Sequence, residues 1–381
     1  MRVALVGNYP IDPNKIVGGP QAVFTYLVEG LRQLEGLDLY VVTNHKQMTE
    51  ITKFQRDNVT FYFLPHPRLP FELAYPLLKR RIHQTLHQIK PDLVHAQSVP
   101  TYGSLCLGAG YPTVATAHSL PGVDTLYNAN WLSRTRMTLY QEWAARAFLP
   151  NSRHIISISK YIQQGLAPRT RANFYPIDNP VTNTFFELPI DQAVPGRILF
   201  VGLLRQRKRP DLALEALALA RQDAPELHLQ FAGAATEPML EAKMRDFIAR
   251  NALERNVELL GHLQETQLLE AYRNMSILLL TSDLETSPMA IEQAMAAGKV
   301  VVATAVGGVP FLVDDGRTGI LVEPQKPERI AQAMVKLSRD QELRRKMGQA
   351  ARQEAQERFK PEVVAAKTYA VYRKVMRDSR H

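Results

Sequence analysis

The sequence predicts an α/β protein built from two Rossmann-like, doubly wound parallel-sheet domains that face each other across a cleft. Three observations carry this. Short apolar runs alternate with longer stretches of helical spacing, the series starts twice, and both starts are strands ending in Val-Gly. In the first series the strand-like runs are RVALVG (2–7), LYVVT (39–43), VTFYFL (59–64), DLVHA (92–96), TVATAH (113–118) and HIISIS (154–159). Amphipathic stretches such as 22–34 and 134–148 separate them. The second series runs RILFVG (197–202), LHLQFAG (227–233), VELLG (257–261), SILLLT (276–281), KVVVAT (299–304) and GILVEP (319–324). A polar stretch near 180–195 joins the two. The expected domains are 1–185 and 186–358, with 359–381 a helix crossing back to the first.

With 45% apolar residues, each half can bury its own core. A single cysteine, Cys106, excludes an intrachain disulfide and Cys-cluster metal sites, and fits a reducing compartment. The opening apolar run is too short for a signal peptide, and the later runs are strand-sized. A soluble cytoplasmic protein is therefore expected. The net charge of +9 calls for an acidic partner: a phosphate-bearing substrate, an anionic membrane or nucleic acid. Residues 1–190 hold 18 basic and 12 acidic side chains, so most of the excess lies there. No basic-aromatic recognition module stands out, so nucleic acid is not expected.

Ligands of open α/β sheets bind beyond the carboxyl ends of the strands, which is where the candidate chemistry falls. Gly18-Gly19-Pro20 follows the first strand and precedes a helix, where backbone N–H groups and the helix dipole suit a phosphate. The spacing is not that of a nicotinamide site, and an ordinary turn fits equally well. His118 ends a strand and is placed either to handle a proton or sugar hydroxyl, or as a core histidine; His95 is the weaker of the two. After Gly202, Arg205, Arg207, Lys208 and Arg209 form a basic loop apt for a diphosphate or simply for solvent. Glu285 precedes Ser287, Pro288 and Met289 in a loop, and Gln293 lies in the helix after it. A carboxylate and an amide there suit hydroxyl recognition. Gly307-Gly308 offers a further phosphate or base contact, and Asp314–Gly319 reads as a plain turn.

Together these segments resemble glycosyltransferase family 4, with its two-domain GT-B fold. The stretch TSDLETSPMAIEQAMAAGKVVVATAVGGVPFLVDDGRTGILVEP carries most of the likeness. GGP, TAH, ISISKYIQQGL, DNPV and ILFVG support it in the same order. The resemblance implies a nucleotide-sugar donor and transfer of a hexosyl unit, with retention of configuration, to a glycan or lipid-linked acceptor. It implies that Glu285 touches the donor sugar and that Lys208 binds its phosphates. Ser287, Pro288 and Met289 would hold sugar and diphosphate through the backbone, Gly19 would lie near the diphosphate, and His118 near the transferred sugar. Two positions depart from the family pattern. Gln293 stands where a second glutamate binds the ribose, and Leu203 stands at the phosphate arginine, with Arg205 as the expected replacement. Glu292 neighbours Gln293 but points about 100° away on a helix, so it is not a simple substitute. No Asp-x-Asp motif occurs, so neither metal nor cofactor is expected. Related readings are a nucleotide-sugar epimerase and a non-catalytic sugar-nucleotide sensor or scaffold. The basic segment 71–90 is expected to pack as a helix on the first domain, with contact to anionic lipid as the alternative.

Overall fold

The computed structural model describes residues 1–12, 16, 18–123, 131–190 and 192–379. The chain divides into two compact units, Met1–Pro180 with Pro361–His381, and Val181–Lys360. The first contains β1 (Arg2–Val6), α1 (Gly19–Leu31), β2 (Asp38–His45), β3 (Thr52–Arg56), β4 (Val59–Pro65) and α2 (Phe71–Ile89). It continues with β5 (Leu93–Ala96), α3 (Ser104–Cys106), β6 (Thr113–Ala117), α4 (Trp131–Phe148), β7 (His154–Ser157), α5 (Lys160–Leu166) and β8 (Asn173–Pro176). The strand order is β3-β4-β2-β1-β5-β6-β7-β8. All neighbours are parallel except β3 and β4.

The six expected strands of this unit are present. They read as continuous apolar runs because helices cover both faces of a parallel sheet. Two more strands, β3 and β8, carry no such signal. Both are edge strands with no fully buried residue, so their sequences, TKFQR and NFYP, need not be apolar. β3 joins β4 through a turn at Asp57, whose φ is 54°, and Phe54 stacks on Phe61 at 5.2 Å. The packed-helix reading of 71–90 holds on one face of α2, where Ala74, Leu78, Ile82, Leu86 and Ile89 enter the core.

The second unit contains α6 (Asn183–Phe186), β9 (Arg197–Val201), α7 (Pro210–Ala220), β10 (His228–Ala232), α8 (Pro238–Arg250), β11 (Val257–Gly261) and α9 (Glu265–Asn274). Then come β12 (Ile277–Leu280), α10 (Met289–Ala296), β13 (Val300–Thr304), β14 (Gly319–Val322), α11 (Pro327–Arg339) and α12 (Gln341–Arg358). Its six strands are all parallel, in the order β11-β10-β9-β12-β13-β14. The division falls at Pro180 rather than after 185, because Val181, Phe185 and Leu188 already belong to the second core. Phe359 belongs there too, and its carbonyl accepts from the Val181 N–H at 2.8 Å.

The last helix, α13 (Pro361–Asp378), belongs to the first unit and packs on α1. The contact is close at Gly30, where an added Cβ would meet the Pro361 carbonyl oxygen at 2.4 Å. Deeper in, Tyr372 Oη lies 2.6 Å from His95 Nδ1, and Thr116 Oγ1 lies 2.7 Å from His95 Nε2. His95 is thus a satisfied core histidine. In each sheet the strand order reverses direction at one place, between β1 and β5 and between β9 and β12. Loops leaving those carboxyl ends diverge and leave room for a ligand.

Burial lowers the His95 pKa from 6.5 to about 3, with a smaller contribution from His118, so the imidazole is neutral when folded. The unfolded chain binds a proton there that the folded chain refuses. Stability from this site is therefore complete above pH 6.5 and falls as the pH drops toward 3. In denaturant titrations across that range, the decline should be shallower in His95→Gln. Tyr372→Phe removes the 2.6 Å partner of the buried His95 Nδ1, leaves it only Gln97 Nε2 at 3.4 Å, and should cost ~1–3 kcal/mol at neutral pH.

Candidate active site

In the second unit the loops after β9 and β12 converge on Glu285. Its side chain is 5% exposed, and Lys208 Nζ donates to Oε1 at 2.5 Å. Ser282 Oγ donates to the same oxygen at 2.7 Å, and Arg207 Nη1 lies 3.6 Å from Oε2. Burial on its own would raise the pKa of Glu285. The charges of Lys208 and Arg207, with hydrogen bonds from Lys208 and Ser282, outweigh it, so the net direction is down and the carboxylate stays ionised.

The backbone holds this arrangement. Arg207 Nη1 donates to the Leu284 carbonyl at 2.7 Å, and the Asp283 N–H donates to the Arg207 carbonyl at 2.9 Å. Thr281 Oγ1 donates to the Arg209 carbonyl at 2.7 Å, and the Arg209 side chain pairs with Asp211 and Asp283. From the loop after β13, the Gly308 N–H donates to the Glu285 carbonyl at 2.8 Å. Gly307 has φ 52°, and a Cβ there would fall 2.0 Å from that carbonyl oxygen, so only glycine fits. Gly202 follows β9 beside the Lys208 stem, where an added Cβ would meet Lys208 Cε at 3.4 Å.

The helix after the Glu285 loop carries the remaining candidates. Pro288 is the N-cap of α10 and Met289 its first residue. Ser287 is buried and donates to Glu292 Oε1 at 2.7 Å. Glu292 is fully buried and ties the loop to the helix, and Gln293 follows it in α10. Tyr272 Oη donates to Gln293 Oε1 at 3.0 Å and fixes the amide. Arg205 is not part of this cluster. Its side chain is exposed and makes no hydrogen bond or ion pair with a described residue, because the 3-10 turn Gln206–Lys208 turns Arg207 and Lys208 toward Glu285 instead.

In the first unit Gly18, with φ 84°, is the N-cap of α1 and Gly19 its first residue. Much of the loop before them lies outside the described residues. His118 leaves β6 partly buried, with Nε2 3.4 Å from Gln97 Oε1. Burial lowers its pKa from 6.5 to about 4, so it is a neutral hydrogen-bonding group at physiological pH.

Arg207 was anticipated only as one of the four cations of the basic loop, not as a partner of Glu285. Ser282, Tyr272 and Gln97 were not anticipated; they act by holding a candidate residue, and nothing in their spacing marks them. Among the described residues no group of three or more His, Cys, Asp or Glu side chains is placed to hold a metal ion. No helix among them is long and apolar enough to cross a membrane.

Comparison with known proteins adds the family. The model described as Glycosyltransferase Family 4 matches residues 17–182, and the model described as Glycosyl transferases group 1 matches residues 188–354. An uncharacterised glycosyltransferase of Methanocaldococcus jannaschii is 25% identical, over 85% of this chain and 87% of that one. The sulfoquinovosyl transferase of Arabidopsis thaliana is 26% identical over 91% of this chain and 68% of its own length. Among solved structures, sucrose-phosphate synthase of Thermosynechococcus elongatus superposes with a TM-score of 0.81 at 20% identity, covering 99% of both chains. HepE of Anabaena, in complex with UDP-glucose, gives 0.74 at 19% identity, covering 97% of this chain and all of that one. The fold is that of the GT-B glycosyltransferases.

Removing the cation closest to Glu285 leaves a buried charge short of compensation. Lys208→Met should destabilise the protein by ~3–5 kcal/mol in equilibrium unfolding. Lys208→Met with Glu285→Gln should recover part of that loss, since the charge and its partner then leave together.

Proposed function

Since the chain belongs to glycosyltransferase family 4, we propose that it transfers a hexosyl unit from a nucleotide sugar to a hydroxyl of a glycan or lipid-linked acceptor. Retention of anomeric configuration and a mechanism without metal are part of the proposal. So are a cytoplasmic location and peripheral contact with an anionic membrane. The observation that carries it is the ionised, buried Glu285 held between Lys208 and Ser282 at the β9–β12 switch point.

Such a site supplies what glycosyl transfer asks for. The bond from the anomeric carbon to the leaving diphosphate breaks as the acceptor oxygen bonds to that carbon. The acceptor proton passes to a leaving phosphate oxygen, and the diphosphate leaves with the bonding electrons. Negative charge grows on the diphosphate, and a preorganised cation there is worth about 2.7–4 kcal/mol of barrier. Lys208 takes that role, and Arg205 with its exposed guanidinium is free to reach a phosphate. Once Lys208 turns to the diphosphate, Glu285 is released to accept from sugar hydroxyls. The backbone of Ser287, Pro288 and Met289 holds the donor at the start of α10. Gln293 binds a ribose hydroxyl through the amide that Tyr272 orients. Gly18 and Gly19 are assigned to the diphosphate and His118 to the transferred sugar.

Donor binding tests the reading directly. The purified protein would be heated with UDP-glucose, the donor bound by a structural neighbour, and with GDP, ADP, CMP and dTDP sugars. At a hundredfold excess over its Kd, the correct donor should add ~2.7 kcal/mol of stability. Absence of any shift would remove the donor site. Turnover with that donor should fall ~100-fold or more in Glu285→Ala with the fold intact. Gln293→Ala should raise the donor KM with less effect on kcat. Donor binding without transfer to any glycan or lipid-linked acceptor would leave a sugar-nucleotide sensor.

A further inference from the structure

We infer that the outer faces of α2 and α4 form one docking surface for an anionic membrane. Six of the thirteen large apolar side chains exposed among the described residues lie on these two helices: Leu73, Leu77, Trp131, Leu132, Leu139 and Trp143. They include both tryptophans of the chain. Leu139 is 66% exposed, Trp131 63% and Trp143 52%. Leu132, Leu139 and Trp143 recur at helical spacing and share one side of α4, as Leu73 and Leu77 share one side of α2. Tyr75 joins the two helices, its ring 5.0 Å from that of Trp143 and edge-on to it.

Folding does not need this apolar surface. The inner face of α2 is buried through Ala74, Leu78, Ile82, Leu86 and Ile89, and that of α4 through Tyr140, Ala144, Ala145 and Phe148. Exposed apolar side chains in such density mark an interaction site.

The charges choose the partner. Arg80 on α2 and Arg136 and Arg146 on α4 are exposed beside the apolar stripe. The one acid of α4, Glu142, is held by Arg169 at 2.7 Å. Leucine and tryptophan flanked by arginine suit the boundary between acyl chains and acidic headgroups, where indole rings gather. A second copy of the chain fits less well. A twofold contact of this face with itself would bring the arginines of one copy against those of the other. The inference deepens the acceptor side of the proposed function, and rests on that reading only for what docking serves.

Vesicle flotation tests it. The full chain would be floated with vesicles of phosphatidylcholine alone and of phosphatidylcholine mixed with phosphatidylglycerol, while tryptophan emission is recorded. UDP-glucose binding is read on the same preparations, so failure to dock and failure to bind donor are told apart. The expected result is flotation with the anionic vesicles only, weakened by salt, with a blue shift of emission. Leu139→Ser with Trp143→Ser should lower the partition at least ~10-fold. Arg80→Glu with Arg146→Glu should do so as well, and neither pair should change donor binding. Equal binding to neutral vesicles, no binding to anionic ones, or unchanged binding in both double variants would overturn the inference. A concentration-dependent dimer dissolved by the Leu139 and Trp143 substitutions would overturn it too, and would give this face to a second copy.

Discussion

A carboxylate cut off from water keeps its charge only where cations and hydroxyls are brought to it, and at Glu285 two stretches of chain meet that demand while a third holds the backbone. Ser282 comes from the same loop, Lys208 and Arg207 come from the loop after β9, and Gly308 reaches the Glu285 backbone from beyond β13. β12 lies between β9 and β13 in the sheet, so the strand order itself brings these loops side by side. Each loop conformation then presupposes the others. The left-handed glycine at 307 makes sense only against the Glu285 carbonyl, and the turn at Gln206–Lys208 only against Leu284 and Glu285. Substitutions in these loops will therefore couple rather than add.

How far this was legible from sequence follows from what each residue does. The central strands were readable because a strand covered on both faces must be apolar along its length. β3 and β8 were not, because an edge strand is defined by a neighbour's backbone and can be written as TKFQR or NFYP. Glu285, Lys208 and Gln293 could be named from the motif, but their contacts could not. Which cations of a basic run turn inward depends on the phase of a single 3-10 turn, and that phase puts Arg207 beside Glu285 and Arg205 in solvent. Tyr272, some twenty residues before Gln293, becomes relevant only once α9 and α10 lie together.

The paired positions 292 and 293 show one chemistry divided between neighbours. A buried glutamate binds the Ser287 hydroxyl and stabilises the loop, while the adjacent amide is neutral and held by Tyr272. An amide donates as well as accepts, so the substitution changes the polarity of that position without removing its capacity for hydrogen bonds.

α13 also bears on the order in which the polypeptide is made. The first unit is discontinuous: its core is completed by Val364, Ala365, Val371, Tyr372 and Val375, which lie beyond the whole of the second unit. On the ribosome, residues 1–180 emerge early yet wait for some 180 more before His95 meets Tyr372 and the α1 surface is covered. The second unit, contiguous from Val181 to Lys360, has all its parts first. Synthesis from the N-terminus thus runs against the usual expectation that the leading domain matures first, and the nascent first unit must hold an unfinished core while its successor folds.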